Sequence, residues 1–134
     1  MLYLDTSAFL KILVEEEHSL ALRAALAGSA AWSSSLLAVE AHRAAIRLGI
    51  DHEEVDLRLA GVTLIAPSES SYFSARTVGT PMLRALDALH LASALELGPD
   101  LDAVVTYDRR LAEACDQLDV ETVAPGAPER WWAP

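Results

Sequence analysis

Five short, mostly apolar runs separated by helix-like stretches constrain this chain more than any other feature. They are Leu2–Asp5, Ala31–Ser33, Val62–Ile65, Ala103–Thr106 and Val120–Val123. Runs this short, with little polar alternation, suit strands covered on both faces. Between them the sequence predicts helices. The first runs from Thr6 or Ser7, as cap, to about Val14, and the second from Ser19 to Ala27, stopped by Gly28. A third spans Leu36–Leu48, ahead of Gly49. Asp51 and Glu54 have capping-box spacing before a fourth, which reaches Ala60. Further helices are expected over Ser70–Val78, Leu83–Leu97 and Arg109–Gln117. This alternation predicts an α/β domain, with three α/β/α layers around a central, mostly parallel sheet of four or five strands. The domain is expected over residues 1–124, followed by a tail at 125–134 that contains proline and tryptophan.

In open parallel sheets the site lies outside the carboxyl ends of the strands. Asp5 closes the first strand, and Asp108 sits just past the strand ending at Thr106. Both acids should therefore emerge on one edge, with Ser7 and Thr106 able to supply hydroxyls beside them. Either acid could equally be an ordinary helix N-cap. Asp87 interrupts the apolar stretch LDALHLA, so it needs a cation, a metal or donors. Arg84 and His90 stand three residues away on either side and can flank it on one helix face. A plain Arg84–Asp87 ion pair would satisfy it too. Glu40 interrupts SLLAVEAHRA, with Arg43 and Arg47 following on the same face, so an i,i+3 ion pair is its simplest explanation.

As a set, the four acids say more than they do singly. If they converge within about 5 Å, each pair repels by roughly 3 kcal/mol at an effective dielectric near 20. Six pairs then approach ~20 kcal/mol. Such a cluster must be partly protonated or hold divalent cations. Oxygen-only ligands suit Mg²⁺ or Mn²⁺. Zinc is disfavoured, because Cys115 stands alone and no two histidines have ligand spacing.

Composition narrows the classes further. A net charge of −10 argues against a generic nucleic-acid binder, although nine of the ten basic residues are arginine, whose planar fork matches phosphate. A single cysteine excludes an internal disulfide. With no basic, apolar leader and no stretch able to cross a bilayer, a cytoplasmic location is expected.

The segments LYLDTSAFLK, SSSLLAVEAHRA, LRALDALHLASAL and VVTYDRRLAEAC occur in the order and with the spacing of PIN domains. The chain resembles that family across nearly its whole length, and more closely the branch of VapC-type toxins. The resemblance implies an α/β/α fold and Mg²⁺- or Mn²⁺-dependent endoribonuclease activity, as the toxin of a toxin–antitoxin pair. It places Asp5, Glu40, Asp87 and Asp108 on the family's acidic quartet, the catalytic and metal-binding set. Ser7 and Thr106 fall on hydroxyl positions near the metal, and Arg84 on a basic position common in the branch. It also implies an RNA substrate, a cognate antitoxin and a homodimer. Some relatives carry a further acid shortly after the fourth. Here Arg109 and Arg110 follow Asp108, and no fifth ligand is assigned.

In the proposed chemistry Asp5 and Asp108 hold the principal cation, and Arg84, Arg43 or Arg109 contact phosphates. Structural ion pairs are the simpler role for Arg43 and Arg109. His90 is expected as a core residue or a support to the site, and His18, His42 and His52 as surface residues. Trp131 and Trp132 could stack on bases, but packing or a dimer contact is the favoured role. Aspartyl phosphotransfer is a rival enzyme class, yet the only lysine is Lys11 and DTS lacks a second acid. No Gly-rich phosphate loop is present. A PIN-like binding or regulatory module without appreciable cleavage is the second reading.

Overall fold

The computed structural model describes residues 1–134. Five strands form one sheet: β1 (Leu2–Leu4), β2 (Ala31–Ser34), β3 (Thr63–Ile65), β4 (Ala103–Val105) and β5 (Thr122–Val123). Their spatial order is β3-β2-β1-β4-β5, and every neighbouring pair is parallel. The sequence expectation of a mostly parallel sheet is met by one that is wholly parallel.

Seven helices cover it: α1 (Thr6–Leu13), α2 (Ser19–Leu26), α3 (Leu36–Leu48), α4 (His52–Leu59), α5 (Glu69–Ala75), α6 (Ala85–Leu95) and α7 (Arg109–Gln117). The apolar faces segregate into separate clusters. Phe9, Leu37, Ala41 and Val55 pack α1, α3 and α4 together. Tyr3, Leu91, Leu111 and Cys115 join β1 to α6 and α7. None of these helices is long and apolar enough to cross a membrane.

Two helix starts differ from expectation. Asp51 caps α4 by accepting from the Glu53 N–H, but Glu54 reaches forward to Arg58 and does not close a capping box. The box lies instead at α5, where the Ser68 and Ser71 side chains exchange hydrogen bonds with each other's backbone N–H. The helix carrying Asp87 begins at Ala85, not Leu83, because Arg84 is extended (φ −78°, ψ 160°) and Leu83 closes a turn onto Thr80.

The topology sets the site. Strands β1 to β3 step outward in one direction, and β4 returns to the other side of β1. The order therefore reverses between β1 and β4, and the crevice at such a switch point opens at the strands' carboxyl ends. Leu4 and Val105 are register partners, so Asp5 and Thr106 leave the sheet side by side.

In the tail Trp132 is buried, and the Tyr107 hydroxyl donates to the Pro125 carbonyl at 2.7 Å. The last residues thus fold back beside α7, where Arg130 also pairs with Asp116.

Candidate active site

Asp5 is the buried acid of the set, only 3% exposed. Its Oδ1 accepts from Ser7 Oγ (2.7 Å) and from the Ala8 N–H (2.9 Å), and its Oδ2 accepts from Thr106 Oγ1 (2.5 Å). The capping role is therefore real, and these donors explain how a carboxylate is tolerated here. They do not offset its desolvation: burial pushes its pKa up to about 6.

Thr106 Oγ1 also accepts from the Asp108 N–H at 3.0 Å, which links the two strand-end acids through one hydroxyl. Ser7 Oγ in turn accepts from the Tyr107 N–H at 2.9 Å. Asp108 caps α7 through Oδ1 alone, taking the Arg110 and Leu111 N–H groups. Its Oδ2 is left uncommitted.

The sequence argument for Asp87 needs correction. Its apolar neighbours suggested deep burial, but Asp87 sits in the first turn of α6 beside Leu86, which is half exposed, and is itself only partly buried. The alternative, an Arg84–Asp87 ion pair, does not form, and no hydrogen bond reaches the carboxylate. Burial raises its pKa first, and the neighbouring Asp108 and Glu40 charges raise it further, against Arg84.

Glu40 also departs from expectation. Its partner is not Arg43 but His90, fifty residues away, with Oε1 2.6 Å from Nε2. Burial would raise its pKa, yet the hydrogen bond from His90 outweighs this and leaves it lowered.

His90 is buried, as anticipated, and its neighbours fix its tautomer. The Ser34 N–H donates to Tyr3 Oη at 3.1 Å. Burial holds the Tyr3 phenol far above the usual range, so it keeps its proton and donates to His90 Nδ1 at 2.8 Å. With Nδ1 accepting, Nε2 carries the hydrogen given to Glu40. Tyr3 went unnoticed in the sequence because it reads as one more apolar strand residue. The only signal was a phenol inside a strand buried on both faces, which must find a partner.

The geometry thus links all four acids to one crevice. Asp5 touches Asp108 through Thr106, and Asp87 lies within electrostatic reach of both Asp108 and Glu40. No three His, Cys, Asp or Glu side chains already converge on a single ligand position. The cluster is open, with Asp108 Oδ2 and both Asp87 oxygens free of partners, while Glu40 is engaged by His90 and Thr6. A set of hard, unneutralised oxygens with two raised pKa values fits a divalent cation such as Mg²⁺ or Mn²⁺, bound partly through water.

The other histidines are less ordinary than expected. His18 stacks on Tyr107, and His42 Nδ1 lies 2.6 Å from His52 Nδ1 while its Nε2 meets Asp56.

Comparison with known proteins gives the family. The family model described as PIN domain matches residues 2–117. Ribonuclease VapC47 of Mycobacterium tuberculosis is 37% identical over 134 residues, covering 95% of this chain and 98% of its own. Ribonuclease VapC46 of the same species is 37% identical over 126 residues, covering 92% and 97%. Ribonuclease VapC35, also from that species, is 34% identical over 144 residues, covering 94% and 98%. The chain belongs to the PIN-domain family, in its VapC-type branch.

Proposed function

We propose that this protein is a metal-dependent endoribonuclease that hydrolyses RNA phosphodiester bonds as the toxin of a toxin–antitoxin pair. The observation that carries the reading is the half-buried, partnerless Asp87 carboxylate held between Asp108 and Glu40, at the strand edge where Asp5 is buried. An unpaired acid among acids is strained in isolation and is relieved by a cation. The ribonuclease names of the VapC relatives support the substrate class.

Asp5 and Asp108 would hold the principal Mg²⁺ or Mn²⁺, with Glu40 and Asp87 completing the set directly or through water. When bound, such a cation lowers the pKa of the attacking water and offsets charge on the phosphoryl oxygens. The chain's own groups do the rest. Ser7 and Thr106 hold the Asp5 carboxylate rigid through 2.7 and 2.5 Å hydrogen bonds. His90, fixed by Tyr3, holds the Glu40 carboxylate in place through Oε1. Residues 1–124 form the catalytic unit in this reading, and 125–134 a supporting tail. The protein acts in the cytoplasm, as a homodimer, under the control of a cognate antitoxin.

The test is induced expression in a bacterium with sequencing of newly formed RNA 5′ ends. The unaltered protein should arrest growth and yield discrete cuts, and Asp5→Asn should do neither. Equal toxicity of the two would sink the reading.

A further inference from the structure

Half of the chain's cations lack a carboxylate partner, although acids outnumber bases twenty to ten. Lys11, Arg23, Arg58, Arg109 and Arg130 each sit within 4.0 Å of an Asp or Glu oxygen. Arg43, Arg47, Arg76, Arg84 and Arg110 do not. Of these, Arg76 is engaged elsewhere, lying over the Phe73 ring at 4.0 Å and donating to the Phe73 carbonyl.

The four that remain are free for a structural reason: nearly every acid at helical spacing is already committed. Glu40, three residues before Arg43, is bonded to His90. Asp51, four residues after Arg47, lies beyond the end of α3 and caps α4 instead. Glu113, three residues after Arg110, is held by Arg109. Asp87, three residues after Arg84, is unbonded but makes no ion pair with it.

Their positions follow the acids. Arg43 stands one turn beyond Glu40 on α3, and Arg47 one turn further along the same face. Arg84 caps α6 one turn before Asp87, and Arg110 lies two residues after Asp108 on α7. Arg43, Arg47 and Arg84 are exposed, and Arg110 is partly so. Arginines without a carboxylate partner therefore stand within about two turns of an acid on each of the three helices that supply one beyond the buried Asp5.

We infer that Arg43, Arg47, Arg84 and Arg110 form a phosphate cradle that carries the RNA backbone across the acidic crevice. This rests on the ribonuclease reading and names its substrate contacts. A chain of net charge −10 repels a polyanion, so affinity must come from cations that are not already neutralised. Guanidinium forks suit phosphate oxygens and carry no base specificity. Arg109, whose charge Glu113 already matches, is excluded from the cradle although it adjoins Asp108.

The test is equilibrium binding of a fluorescein-labelled single-stranded RNA of mixed sequence. It is run in a chelator to prevent cleavage and repeated across a range of salt concentrations. Arg43→Gln, Arg84→Gln and Arg110→Gln should each weaken binding about three- to tenfold at low salt. Each should lower the slope of log K against log salt by about 0.7. The fourfold variant should lose about 3 units of slope. Arg23→Gln and Arg58→Gln, which break surface pairs, should change neither quantity. Because all these side chains lie at the surface, unchanged urea midpoints will show that the fold is intact.

Equal losses in the paired-arginine controls, or none in the free-arginine variants, would overturn the cradle while leaving the ribonuclease reading in place. Unaltered protein that binds the RNA with no salt dependence would count against that reading itself. Unchanged RNA binding with lost binding of a poly-glutamate peptide would overturn the cradle in favour of a surface for an acidic protein.

Discussion

Replacing Asp5 by asparagine should make the cation-free protein more stable at neutral pH. Asp5 is 3% exposed, and its pKa rises from 3.8 to about 6 on folding. A raised carboxyl pKa means that the folded state favours the protonated form. Its contribution is therefore fully present below pH 3.8 and is lost as pH rises through about 6. The shift is roughly two units, and one unit is about 1.4 kcal/mol, so ionised Asp5 destabilises the fold by ~3 kcal/mol at pH 7. For a chain of this size that is about 10 °C in melting temperature. Asparagine keeps an oxygen for Ser7 and the Ala8 N–H, and its amide can donate to Thr106 Oγ1, whose hydrogen then turns towards Ser7. Urea unfolding of both proteins in a chelator, between pH 4 and 8, measures the effect. Subtracting the two curves removes groups that titrate alike in both. The difference should be near zero at pH 4 and grow to about 3 kcal/mol in favour of the variant by pH 7. A variant less stable than the parent at pH 7, or a difference that does not change with pH, would refute the reasoning. The same variant should be inactive on RNA, so its lost toxicity could not be ascribed to misfolding.

Two other outcomes follow from the site. Mn²⁺ at a hundred times its dissociation constant should stabilise the protein by about 3 kcal/mol in thermal melts, and Asp87→Asn should abolish most of that gain. His90→Phe should destabilise by about 2 kcal/mol in urea, because it strands the Tyr3 hydroxyl and a half-buried Glu40 oxygen. Tyr3→Phe should leave the fold intact but remove the donor that fixes the imidazole. The His90 nitrogens in ¹⁵N spectra should then depart from the Nε2–H pattern expected of the parent protein.

The parts of the fold that were legible in the sequence are those set by local chemistry. Apolar runs marked all five strands, and Gly28 and Gly49, both at positive φ, marked the ends of α2 and α3. The shared edge of Asp5 and Asp108 was legible because strand ends and sheet direction are coupled in parallel sheets. What failed were pairings judged by spacing alone. Arg43 is well placed for Glu40 along one helix, but a buried imidazole from α6 is the stronger partner, and no local pattern reveals it. The pairing of His42 with His52, ten residues apart on different helices, was hidden for the same reason. Asp51 and Glu54 had the spacing of a capping box, yet Arg58 offered Glu54 a charged partner one turn on.

Asp87 shows where burial itself was misjudged. An acid flanked by Leu86, Ala88 and Leu89 reads as deeply buried if the helix is taken as buried all round. α6 is buried from Ala88 to Ala94, but its first turn is not, and Leu86 is half exposed. The burden of desolvation therefore falls on Asp5, and the lack of partners falls on Asp87. These two kinds of strain are complementary. Asp5 is held by Ser7, the Ala8 N–H and Thr106, whereas Asp87 has no hydrogen-bond partner to hold it. The four acids therefore differ in kind: Asp5, Glu40 and Asp108 are held by named partners, and Asp87 alone is left to adapt.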